Sequence, residues 1–291
     1  MPELPEVETV RRGLEMVLLG AQLRSVHQRR PDLRFPFPER FAERLTGRTV
    51  EALWRRAKYL IADLDGAESL VMHLGMSGSF RIEPTAGPQG PVPSVEAAAK
   101  NPAHDHVVFD LSSGTRIIYN DPRRFGFMLL IPPQAVAEHP LFRSVGIEPL
   151  SDEFDGATLA RLCGARRTSL KAALLDQKLI AGLGNIYVCE ALHRAGLSPL
   201  RLSKTLVRKN GCPSAHAMRL ARAIRQVLEE AIAAGGSSLR DHRTTDGGLG
   251  YFQHNFRVYE RANCSCARCG ASIKRIAQLG RATFYCGGCQ R

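Results

Sequence analysis

Near the N-terminus, apolar residues recur at Leu4, Val7, Val10, Leu14 and Val17, always three or four apart. That spacing predicts one amphipathic helix, stopped at Gly20. From residue 21 to about 131 the period drops to two. Strands are expected around 48–64, 68–83, 104–111, 115–119 and 124–131, with turns at Asp65-Gly66 and Ser112-Ser113-Gly114. Residues 84–103 are rich in Pro and Ala, carry no packing pattern and read as an exposed loop. Helical spacing returns over 153–236. One run passes through Val188 and Leu192 and ends at Gly196, and a second, with Leu220, Ile224, Val227 and Ala231 on one face, stops at Gly235-Gly236. The pattern predicts an α+β chain: a helix with a β-sandwich-like domain over 1–149, a helical domain over 150–236, and a last segment over 237–291.

Composition adds a partner and a compartment. At 291 residues the chain is long enough for two sizeable cores. It lacks an apolar run of the ~18 residues a membrane span needs, and no basic-then-apolar signal opens it, so a cytoplasmic protein is expected. The net charge of +12 and a pI near 9.7 point to an anionic partner, nucleic acid above all. Residues 201–291 carry 16 Lys+Arg against 5 Asp+Glu, a net +11, which leaves +1 for the rest. The phosphate-gripping surface is therefore expected in the C-terminal third.

The cysteines are as lopsided as the charge. Five of eight fall between 264 and 289, the other three being Cys163, Cys189 and Cys212. Cys266-x2-Cys269 and Cys286-x2-Cys289, sixteen residues apart, have the spacing of a four-cysteine zinc ribbon. Cys264 could in principle replace Cys266. Four thiolates leave zinc no open position for substrate, so one structural zinc is expected.

The first eight residues, Met1-Pro2-Glu3-Leu4-Pro5-Glu6-Val7-Glu8, combine three carboxylates with a proline in second place. Glutamates in a first helical turn complement the helix dipole, a sufficient structural reason for them. If Met1 is removed, however, Pro2 presents a secondary amine, unprotonated near neutral pH more often than a lysine. Attack of such an amine on a sugar C1′ forms a cationic iminium, an electron sink for later bond breaking. Glu3 stands beside it as a proton donor or acceptor. Three further clusters could carry chemistry: Arg55-Arg56-Ala57-Lys58, His73-Leu74-Gly75-Met76-Ser77-Gly78, and Asp121-Pro122-Arg123-Arg124-Phe125-Gly126. Each also has a plain structural reading as a charged strand edge or a hairpin turn.

These motifs together resemble the bacterial formamidopyrimidine-DNA glycosylases, which open on the same PELPEVE-type segment, and the resemblance runs nearly the whole length. It implies a bifunctional glycosylase and abasic-site lyase for oxidised purines, 8-oxoguanine opposite cytosine and formamidopyrimidines. The substrate would be double-stranded DNA with oxidised bases or abasic sites, acted on by a monomer in the bacterial nucleoid without redox or nucleotide cofactor. Pro2 is then the nucleophile, Glu3 the proton carrier and Lys58 a third catalytic group, at a position that contacts the backbone or assists chemistry at the damaged nucleotide, with Glu6 supporting the N-terminal segment. Met76, Arg123 and Phe125 fill the hole left by the extruded base, Arg123 facing the orphaned cytosine, while His73 and Asn185, in Gly182-Leu183-Gly184-Asn185-Ile186-Tyr187, approach the DNA backbone. The resemblance places a helix–two-turn–helix around Asn185, a base-covering loop near 237–252, and Arg281 on the zinc hairpin aimed at phosphate. Arg240 stands where well-known members have lysine, a departure that puts base-specific contacts there in doubt. Two rivals follow. An endonuclease VIII-like sibling would prefer oxidised pyrimidines, and a non-enzymatic zinc protein would only bind damaged DNA.

Overall fold

The computed structural model describes residues 2–84, 101–237 and 250–291. Backbone packing divides it into two compact units, Met1–Arg143 with Ala234–Tyr251, and Ser144–Ala233 with Phe252–Arg291. Residues expected in one C-terminal segment are thus shared, 237 and 250–251 packing with the first unit and 252–291 with the second.

The first unit opens with α1 (Leu4–Leu18), whose Leu4, Val7, Val10 and Leu14 are all buried. Then come β1 (Leu23–Gln28), the short α2 (Phe41–Leu45), β2 (Val50–Arg56), β3 (Tyr59–Leu64), β4 (Ser69–His73), β5 (Ser79–Pro84), β6 (Asp105–Leu111), β7 (Thr115–Asn120) and β8 (Phe127–Ile131). Two antiparallel four-stranded sheets form, ordered β1-β6-β7-β5 and β2-β3-β4-β8. The long expected strands 48–64 and 68–83 are each two strands. A two-residue turn, Ala57-Lys58, joins β2 to β3, with Arg56 opposite Tyr59, and residues 74–78 join β4 to β5. Both breaks are marked in the sequence, by the basic run Arg55-Arg56-Ala57-Lys58 and by the glycines either side of Met76, within segments otherwise patterned as single strands.

One core fills the space between the sheets, built from α1, Leu23, Leu60, Met72, Val107, Phe109 and Tyr119. The other face of β3 and β4 buries Ile61 and Val71 under Val136 and Phe142. Truncating such a side chain to Ala costs about 2–5 kcal/mol. Two-sided burial explains why β3 reads as a continuous apolar run rather than an alternation.

The second unit contains α3 (Gly156–Gly164), α4 (Leu170–Leu175), α5 (Asn185–Ala195), α6 (Ala215–Ala233) and a hairpin of β9 (Ile273–Gln278) and β10 (Arg281–Cys286). Gly196 ends α5 at φ +67°, which glycine adopts without cost. The described residues include no helix long and apolar enough to cross a membrane.

Candidate active site and nucleic-acid interface

Glu3 caps α1 in extended conformation, and its own N–H donates to the Glu6 carboxylate at 2.9 Å as one arm of a capping box. Pro2, Glu3 and Glu6 are all buried, the two glutamates at 3% and 2% exposure. A buried carboxylate needs donors, and the second oxygen of Glu6 finds them at Ser237, accepting its backbone N–H at 2.8 Å and its hydroxyl at 2.9 Å. Glu6 thereby ties the N-terminal turn to the start of the segment expected to cover a base. Of that segment, 238–249 and with it Arg240 lie outside the described residues.

Lys58 is fixed to the same helix by a chain of ion pairs. Ala57 adopts φ +52°, a conformation that costs a non-glycine residue of order 1 kcal/mol or more. The Arg55 guanidinium compensates, donating to the Ala57 carbonyl at 2.8 Å and pairing with Glu8 at 3.2 Å. Glu8 also receives Arg11 and Arg12. Burial alone would raise its carboxyl. Hydrogen bonds from Arg11 and Arg12 and the charges of Arg11 and Arg55 nevertheless hold it below the usual carboxylate range. Lys58, 8% exposed, is therefore presented by a turn anchored to α1.

The turns bearing Met76 and Phe125 are locked together. Asp121, fully buried, accepts the Ser77 hydroxyl through one oxygen and the Gly126 N–H (2.8 Å) through the other. The Ser77 oxygen in turn accepts the Arg123 N–H at 3.2 Å. Gly75 sits at φ +61°, and a Cβ there would lie 2.3 Å from the Phe125 carbonyl carbon. On this joined platform Met76 and Phe125 stay 38% and 43% exposed, and the Arg123 guanidinium lies 4.7 Å from the centre of the Phe125 ring. Large apolar side chains normally leave water; here the backbone lock holds them out.

His73 lies at the base of this platform. Its ring stacks on Phe127 at 5.2 Å with a 10° tilt, and Nδ1 accepts the Gly75 N–H at 3.0 Å. Burial first, then the charges of Lys58 and Arg34, push it down to about 4. His73 is therefore neutral at physiological pH, with the proton on Nε2.

In the second unit, Asn185 is the first residue of α5 and its side-chain amide donates to the Ala282 carbonyl at 2.8 Å. The same carbonyl receives Nζ of Lys171 at 3.2 Å, and that lysine, fully buried, also meets the Thr283 hydroxyl. Arg281, beside Ala282, is exposed and flanks the hairpin turn, paired with Gln278. The tip, Leu279-Gly280, has both residues at positive φ, +54° and +69°, as a type I′ turn requires. For leucine that is strain.

The four cysteines converge. Sγ atoms of Cys266, Cys269, Cys286 and Cys289 all lie within 4.8 Å of one another, with Cys266–Cys289 at 3.9 Å and Cys269–Cys286 at 3.3 Å. Tetrahedral zinc with Zn–S of about 2.3 Å sets thiolates about 3.8 Å apart, so the set fits the ion. Cys264 is exposed and stands outside it.

The sequence reading missed the supports: Asp121, the Glu8–Arg55 pair, Lys171, and Glu190, whose buried carboxylate accepts the N–H groups of Arg257, Val258 and Tyr259. A lysine inside the apolar run Leu170–Leu175 was the one visible signal. The others bind partners distant in sequence.

Comparison with known proteins agrees with this architecture. Residues 1–128 match the formamidopyrimidine-DNA glycosylase N-terminal domain, 145–243 its H2TH domain, and 266–291 the zinc finger found in FPG and IleRS. The formamidopyrimidine-DNA glycosylase of Beijerinckia indica is 68% identical over 293 positions, covering all of both chains. Lactococcus lactis Fpg bound to DNA containing N7-benzyl-Fapy-dG superposes with a TM-score of 0.84 at 33% identity, and MutM with carbocyclic 8-oxo-G-containing DNA with 0.83 at 34%, each covering 100% of both chains. With a matched N-terminal domain, H2TH domain and four-cysteine zinc finger along one chain, this protein belongs to the formamidopyrimidine-DNA glycosylase family, DNA-repair glycosylases with abasic-site lyase activity and one structural zinc.

Proposed function

We propose that this chain excises oxidised purines from duplex DNA, 8-oxoguanine opposite cytosine and formamidopyrimidines, with the Pro2 nitrogen as nucleophile. The observation that carries this is the capped N-terminal turn. It buries Pro2 beside Glu3 and fixes their backbone through Glu6. The positive end of α1 disfavours a protonated amine, which favours the nucleophilic free base. The names of the relatives and the DNA in their complexes support the lesion class.

The steps follow from that arrangement. After removal of Met1, the Pro2 nitrogen attacks C1′ and the damaged base leaves with the C1′–N bonding pair. Glu3 protonates the ring oxygen as the sugar opens, which yields the iminium. Loss of a C2′ proton expels the 3′ phosphate, and a second elimination across C4′ expels the 5′ phosphate, leaving a one-nucleotide gap. Met76 and Phe125 occupy the space of the extruded base, and Arg123 reads its partner. Lys58, with neutral His73 beside it, holds the flanking phosphate. Asn185 and Arg281 bear on the backbone from the second unit.

Borohydride added during turnover tests the nucleophile. It should trap the protein on the damaged strand through Pro2, and an uncleavable N-terminal extension should abolish trapping and cutting. Undiminished trapping with the extension in place would move the nucleophile to a lysine.

A further inference from the structure

The last turn of α5 lies against both zinc knuckles. Arg268 donates through Nη2 to the Arg194 carbonyl at 3.0 Å, the Arg291 N–H to the Gly196 carbonyl at 3.2 Å, and Gln290 through Nε2 to the Leu197 carbonyl at 2.9 Å. Within that turn His193 is 3% exposed, and its Nε2 lies 3.4 Å from Sγ of Cys266 and 3.7 Å from Sγ of Cys289.

The chemistry of that contact is constrained. Four thiolates around one Zn2+ leave a net charge of about −2, and the C-terminal end of a helix is itself the negative end of a dipole. Bringing the two together costs energy unless a donor stands between them. A metal-bound thiolate only accepts hydrogen bonds, so the imidazole must carry its proton on Nε2 and donate it. The 3.4 and 3.7 Å distances suit one N–H shared between two sulfurs. The backbone N–H of Arg268 is a further donor to Cys266 at 3.4 Å.

We propose that His193 is a positioning residue for the zinc, an outer-shell N–H donor to the thiolates of Cys266 and Cys289. It drains charge from these two ligands and fastens the C-terminal end of α5 to the metal. The other end of the same helix is already fastened to the zinc hairpin, by Asn185 on the Ala282 carbonyl. The zinc therefore braces α5 at both ends, and with it the Asn185 amide and the Arg281 strand. This rests on the four-cysteine zinc assignment.

The test uses the zinc-loaded full chain. One zinc per chain is measured first, since absence of zinc from the unaltered protein would defeat the zinc assignment rather than the role of His193. His193→Phe keeps a planar ring and removes the N–H, whereas His193→Gln retains an N–H at similar reach. Zinc release to a chromogenic chelator should be about 10- to 100-fold faster for His193→Phe, the usual effect of losing an outer-shell partner, and close to the unaltered rate for His193→Gln. Unchanged release in the Phe variant overturns the proposal, and so does equal acceleration in both, which would mean packing alone.

Should His193→Phe fail to fold, the unaltered protein loaded with 113Cd decides. A proton on His193 Nε2 coupled through sulfur to the cadmium is the expected result. An unprotonated Nε2, or a cadmium shift typical of three sulfurs and one nitrogen, refutes it.

Discussion

At the scale of single residues, His73 shows how far position can remake a side chain. In sequence it is a histidine after an apolar strand, with an ordinary value of 6.5; folded, it is pushed down to about 4. The unfolded chain therefore binds a proton between pH 6.5 and 4 that the folded chain refuses. Stability is unaffected above 6.5 and falls as pH drops toward 4. His73→Gln should flatten part of that acid limb, measured as thermal midpoint against pH. It should also leave the salt dependence of lesion-DNA affinity unchanged, because a neutral N–H releases no counterion. A shallower salt slope in the variant would mean that His73 acts as a cation. That His73 belonged to a site was legible from the motif around it, whereas its charge state was not. The charge state depends on burial against Phe127 and on Lys58 and Arg34.

Between residue and fold stand the two joined turns, 74–78 and 121–126. Their members were visible in the sequence, with Met76 after Gly75 and Arg123 and Phe125 on a turn closed by Gly126, but the Asp121 lock was not. An aspartate before proline looks like any turn residue until its carboxylate is seen holding Ser77 and Gly126. Gly75 is the point of closest approach, so Gly75→Ala meets both an unfavourable φ and a backbone clash. We expect it to cost about 2–4 kcal/mol of stability. Forced apart, the turns would also misplace Arg123, so preference for cytosine opposite the lesion should fall along with the thermal midpoint. A Gly75→Ala protein with unaltered stability and selectivity would contradict the lock.

For the molecule as a whole, charge and metal fall largely in the C-terminal third. The zinc set closes a small core of Cys189, Val258, Ile273 and Phe284, too little apolar surface to hold the hairpin unaided. Cys286→Ser should therefore lose zinc and weaken lesion DNA and undamaged duplex alike. The first unit, Met1–Arg143 with Ala234–Tyr251, contains no zinc ligand and should keep its melting transition. Loss of both transitions together in calorimetry would refute that independence.

What the sequence determined by itself was local or strictly spaced. The N-terminal helix follows from steps of three and four, the zinc ligands from two Cys-x2-Cys pairs, and the basic third from composition, because each signal lies within a few residues or in a sum. What only the tertiary structure decided joins residues far apart. The Asp121 lock on Ser77, Glu6 on Ser237, Lys171 and Asn185 on one carbonyl, and His193 on two thiolates all depend on which segments the packed cores bring within hydrogen-bond reach. Hydrophobic periodicity records which face of a segment is buried, but it does not record what lies across from it.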